Sequence, residues 1–182
     1  MNSKQLKGLA VISIADGEKL GSIDRVLVDP VAAKVVGFSV RQGGGGILSS
    51  PVETDAEQMV DVDDIHALGK DAITLQDKGS VRGDQTSTRL QSLLDLDQMA
   101  KLKVITEGGT YVGEMVSAEI NERSYGLTEL EVSPGFFKSN RHVPIAQVVN
   151  IGHDLIVVKD VVAADESATS DSSERRLVVG DV

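Results

Sequence analysis

The chain has 182 residues, 18 of them glycine and four proline, with 41% hydrophobic residues, only 3% aromatic residues and no tryptophan. This composition suits a folded, turn-rich protein with a core of Val, Ile and Leu, and does not suit a haem or flavin pocket. A formal net charge of −10 makes nucleic acid a disfavoured partner, and the lack of cysteine removes disulfides, thiolate catalysis and cysteine-bound metal.

In chain order, Met1 to Gly8 carries Lys4 and Lys7 but no apolar run of signal-peptide length. Nowhere is there a stretch of the roughly 20 apolar residues that spans a bilayer. The expectation is therefore a cytoplasmic protein with no direct membrane insertion, reaching a membrane only peripherally, through a partner.

The next elements occur twice. Leu9-Ala-Val-Ile with Leu20-Gly21 corresponds to Leu102-Lys-Val-Ile with Val112-Gly113, and the segment from Asp64 to Asp77 aligns without gaps on that from Gln147 to Asp160. Gly69, Asp71, Ile73 and Asp77 fall on Gly152, Asp154, Ile156 and Asp160. Two matched stretches in the same order identify an internal repeat.

Each copy opens with a short apolar strand and a polar turn, Asp16-Gly17-Glu18 or Glu107-Gly108-Gly109, where glycine reaches positive φ at little cost. The runs Ile23 to Val28 and Met115 to Ile120 predict second strands, and Val35 to Val40 and Leu127 to Val132 third strands. Their period is two, as in Val26-Leu-Val-Asp and Leu130-Glu-Val-Ser. Met59 to Val62 and Val143 to Ile145 predict a further strand, and Ile73 to Leu75 and Leu155 to Val158 the closing one.

The fold class expected is all-β: two tandem small antiparallel β-barrels, over residues 1–80 and 98–162, each closing five or six short strands. Residues 81–97 form the linker, where the spacing of Leu90, Leu93, Leu94 and Leu96 suits a brief helix packed on a barrel. Residues 163–182 read as a flexible acidic tail.

This order of elements resembles the PRC-barrel family. The first copy carries it best, in Leu6-Lys-Gly-Leu-Ala-Val-Ile, Gly17-Glu-Lys-Leu-Gly-Ser-Ile, Val26-Leu-Val-Asp and Val35-Val-Gly-Phe-Ser-Val. The family includes the cytoplasmic domain of the photosynthetic reaction-centre H subunit and the carboxy-terminal domain of a ribosome maturation factor, so the resemblance implies protein-contacting roles. Fold alone does not carry function.

No nucleophile elbow, metal triad, nucleotide loop or His–carboxylate pattern is present, so no catalytic, metal or cofactor-binding residue is assigned and no cofactor is expected. His66, His142 and His153 lack partners at ligand spacing and read as surface or turn residues. The carboxylates from Glu53 to Asp64 read as a solvated loop, because His66 stands where a calcium loop needs glycine. Gly43 to Gly46 reads as a hairpin loop, with no Gly-Lys-Ser/Thr following.

Phe136, Phe137, Lys138 and Arg141 are the candidate partner-binding residues. They combine two of the three phenylalanines with cations in an otherwise acidic chain. The function expected is a non-enzymatic protein-binding or scaffolding module that docks on a protein partner, such as a membrane-bound photosynthetic assembly. The alternatives are an RNA-processing or ribosome-assembly accessory, and a self-associating module whose copies pack as a pseudo-symmetric pair and form homo-oligomers.

Overall fold

A computed structural model describes residues 1–41, 58–83, 93–135 and 138–163. The first copy supplies β1 (Ala10–Ser13), β2 (Glu18–Asp29), β3 (Lys34–Arg41), β4 (Gln58–Asp61), β5 (Ile65–Leu68) and β6 (Ala72–Leu75). Next come β7 (Leu94–Asp95) and a single helical turn, α1 (Leu96–Met99). The second copy repeats the first as β8 (Lys103–Thr106), β9 (Tyr111–Ile120), β10 (Leu127–Ser133), β11 (Arg141–Pro144), β12 (Val148–Ile151) and β13 (Leu155–Val158).

Each copy forms its own curled sheet, ordered β4-β3-β2-β1-β6-β5 and β11-β10-β9-β8-β13-β12. The expectation of wholly antiparallel barrels is corrected at one pairing in each: β6 lies parallel to β1, and β13 parallel to β8. The hairpins β5–β6 and β12–β13 fold back over the start of their own module, which leaves the last strand beside the first in the same direction. The sequence reading named no strand at β5 or β12. Their burial patterns, partly exposed at three or four of four positions, lack a clean apolar alternation.

Two glycines fix the sharpest approach in each sheet. A Cβ on Gly21 would lie 2.5 Å from the Arg41 carbonyl oxygen, and one on Gly113 would lie 2.3 Å from that of Ser133. These are the glycines of the repeated Leu-Gly and Val-Gly pairs. Only a residue without a side chain lets β2 and β9 come this close to the ends of β3 and β10.

The turns after β2 and β9 also match. Asp29 accepts from the amides of Val31 and Ala32 at 2.9 and 3.0 Å, and Asn121 accepts from those of Arg123 and Ser124 at the same distances. Such side-chain acceptors stabilise a tight turn. Each turn ends on a non-glycine residue in the left-handed region, Ala33 at φ 48° and Tyr125 at φ 58°.

The two modules join around these turns. Val35 N–H donates to the Tyr125 carbonyl at 2.9 Å, and Leu127 N–H donates to the Ala33 carbonyl at 2.8 Å. These positions are equivalent in the repeat, so the contact has local two-fold symmetry. A second exchange reinforces it: Leu94 and Asp95 pair with Val28 and Leu27 of the first sheet, while Asn2 bridges Glu119 of the second.

The exchanged segments are equivalent too. Asn2 and Asp95 each cap the turn that follows, accepting from Lys4 N–H and Asp97 N–H. They lead into Leu6 and Met99, both completely buried. The expected leucine-rich linker thus ends as a strand and helix in which Leu94 and Leu96 are buried; Leu90 lies outside the described residues. Buried side chains of both modules form one continuous apolar cluster, from Leu6 and Val35 to Leu127 and Val162. Burial of each such side chain stabilises the fold by roughly 1.5–3 kcal/mol.

Candidate protein-contact site

Pairing of Lys34 with Gly126 is antiparallel and occurs where β3 and β10 begin. The two strands then run away from each other, which carries Arg41 and Ser133 to opposite ends of the pair. The loop from Pro134 to Asn140, with the candidate cations at its close, lies at the Ser133 end.

Phe136 and Phe137 lie outside the described residues, as do Gly43 to Gly46. Lys138 is exposed, and its amide donates to the Gly135 carbonyl at 3.4 Å. Arg141 differs. It opens β11, is only partly exposed, and its Nη1 donates to the Val162 carbonyl at 3.0 Å, tying the base of the loop to the end of the module. Arg141 therefore has a structural partner inside the fold, and Lys138 lies exposed at the surface.

Asn140 anchors the loop a second time, donating from Nδ2 to Glu131 Oε1 at 2.7 Å. The other Glu131 oxygen accepts from the Ser117 hydroxyl, whose Oγ in turn accepts from Asn2 Nδ2 at 3.2 Å. Asn2 also donates to Glu119 Oε1 at 2.9 Å. A polar chain thus runs from the first module's opening segment across β9 and β10 to the candidate loop. Hydrogen bonds from Ser117 and then Asn140 hold the Glu131 carboxyl below the usual carboxylate range.

The sequence reading missed this network. Its one visible signal was the alternation of Glu129 and Glu131 with buried Leu130 and Val132, which places both carboxylates on the outer face of β10.

His142 does acquire a partner: its Nδ1 lies 2.7 Å from Glu129 Oε1 on the exposed face. His66 and His153 are exposed. In the acidic stretch, Asp61 accepts from Asp63 N–H at 3.0 Å and Asp64 pairs with Arg82 at 2.9 Å. Among the described residues, no group of three or more His, Asp or Glu is placed to hold a metal ion, and no helix is long and apolar enough to cross a membrane.

Between the modules lies a cleft of about 160 Å³, lined by Ser3, Lys4, Lys7, Asp24, Asp97 and Val116 among others. Lys7 pairs with Asp97 across it, which raises the lysine's proton affinity, first through the hydrogen bond and then through the carboxylate's charge. The ion pair joins the two exchanged segments.

Comparison with known proteins agrees with this architecture. No curated protein matches the chain. The family profile of the PRC-barrel domain, a non-catalytic module, matches residues 1–81 and again residues 94–164. The second match takes in β7 and α1, the segment exchanged onto the first sheet. With most of its length matched in two successive stretches, the chain belongs to the PRC-barrel domain family and carries two tandem copies of the domain.

Proposed function

We propose that this protein is a non-enzymatic binding or scaffolding module that docks on another protein through the loop between β10 and β11. The observation that carries this reading is the anchored base of that loop. It is fixed by Asn140 on Glu131 and Arg141 on Val162, and Lys138 in the same loop is exposed. A surface loop held on a rigid β base is a common way for a small barrel to present a recognition surface.

Lys138, with Phe136 and Phe137 beside it in sequence, supplies cationic and apolar contact, and Arg141 keeps the loop in place. Docking on a membrane-bound assembly would give the protein a peripheral location.

The test is affinity capture of the tagged full chain from its native cells, with soluble, ribosomal and membrane fractions analysed by mass spectrometry. Wild-type protein is expected to recover a reproducible protein set that Phe136→Ser with Lys138→Glu reduces at least tenfold. Recovery of ribosomal material alone, released by nuclease, would overturn the reading in favour of an RNA-linked role.

A further inference from the structure

The internal repeat provides a control for reading the surface: positions that match in fold but differ in chemistry mark what one copy does and the other does not. Among the described residues, the second module exposes three large apolar side chains, Tyr111 at 54%, Val149 at 49% and Val161 at 50%. The first module carries Lys19, His66 and Lys78 at these positions. Each exposed apolar group of the second copy thus replaces a basic or ionisable one.

One of them belongs to a continuous strip. Tyr111 pairs with Ile105, and Ile105 pairs with Val157, across β9, β8 and β13. Paired residues point to the same face, and the buried neighbours Val104, Val112, Ile156 and Val158 take the inner one. Leu155 extends the strip along β13. Adjacent strands are about 4.8 Å apart, so these side chains form one patch on the outer face. The corresponding strip of the first module is Lys19, Ile12, Thr74 and Ala72, in the same register.

We infer that the outer face of β9, β8 and β13 is a second docking surface, and that its occupant is a partner protein with an apolar centre and a basic rim. The turns that bound the strip carry Glu107, Asp154 and Asp160 against Lys159, which donates to the Ala146 carbonyl at 3.0 Å. At the strip's end exposed Lys103, paired in register with Leu155, is matched by exposed Glu114 on β9, so carboxylates outnumber cations. The Gly108 amide, and then Thr106, hold the Asp160 carboxyl below the usual range, so the rim stays anionic near neutral pH. A second copy of the chain, at −10, would bring like charge to this rim, whereas a basic surface complements it. The inference deepens the binding role proposed above but uses a different face.

The test restores the first copy's chemistry in the second. Leu155→Ala with Val157→Thr removes apolar area without changing charge, and Tyr111→Lys reverses the chemistry at the edge of the strip. These residues already occupy the equivalent places in the first module, and an unchanged melting temperature checks that the fold is kept. The probes are two synthetic peptides, one alternating Leu with Lys and the other Leu with Glu, titrated against the full chain.

Binding of the Leu-Lys peptide is expected, at least tenfold weaker in the neutral double variant, with the Leu-Glu peptide much weaker throughout. Equal binding by wild type and double variant would overturn the inference. So would concentration-dependent dimerisation abolished by Tyr111→Lys, which assigns the face to a second copy. Peptide binding that appears only after deletion of residues 164–182 would assign it to the chain's own tail. In native-cell capture, loss of partners with Lys138→Glu but not with the double variant overturns this surface and leaves the binding role standing. Loss with neither sinks both.

Discussion

The amide of Val35 donates to the carbonyl of Tyr125 at 2.9 Å, and the same bond is returned from Leu127 to Ala33 at 2.8 Å. Because one apolar cluster spans this junction, the modules should unfold together. Calorimetry is expected to give a single transition with equal calorimetric and van't Hoff enthalpies; two resolved transitions would show that the halves are independent.

Ala33 holds its carbonyl toward Leu127 only by adopting φ 48°. A left-handed L-residue costs roughly 1–2 kcal/mol, and glycine relieves that cost while adding about 0.4–1 kcal/mol of unfolded-state entropy. Ala33→Gly should therefore stabilise the protein by about 0.5 kcal/mol in urea denaturation. A clear loss of stability would mean the alanine methyl matters more than the strain.

Gly21 and Gly113 leave no room for a methyl group, since the nearest carbonyl oxygen would stand at 2.5 or 2.3 Å. Either Gly→Ala change must push β3 or β10 aside, at an expected cost of about 3 kcal/mol. Urea midpoints of the two variants should fall together, as the positions are equivalent. Wild-type midpoints would show that the strands can shift freely.

Leu6 and Met99 follow the exchanged segments and are completely buried. Leu6→Ala and Met99→Ala should each destabilise the whole chain by about 2–5 kcal/mol. Hydrogen exchange makes the decisive readout: protection is expected to drop in both modules after either change. A loss confined to one module would argue against the shared core.

The lowered proton affinity of Glu131 fixes the sign of one pH effect. A carboxyl whose folded-state pKa lies below its ordinary value of 4.5 contributes stability above that value and loses it as pH falls through the folded pKa. Melting temperature should therefore decline on acidification below about pH 4.5, and Glu131→Gln should make the decline shallower. An identical pH profile in the variant would remove the Ser117–Glu131–Asn140 network from the account of acid stability.

Much of this molecule was legible in the sequence because the relevant signals are local. Period-two alternation marked β2, β3, β9 and β10, glycines marked the turns, and matched segments gave two copies of one fold; that Gly21 and Gly113 sit at close backbone approaches emerged only from the structure. Lys138 and Arg141 stood out as cations beside phenylalanines in an acidic chain, but nothing in their spacing could separate their roles. The anchoring of Arg141 in the fold depended on Val162, which it meets only after β13 has closed the module.

Tertiary structure alone decided the parallel pairing of β1 with β6, the exchange of Asn2 and Asp95 between sheets, and the single core around Leu6, Val35, Met99 and Leu127. Each joins residues far apart in sequence whose local patterns are compatible with several pairings. The choice among them falls to whichever arrangement buries the apolar faces of both copies and satisfies the amides and carbonyls at their turns at once.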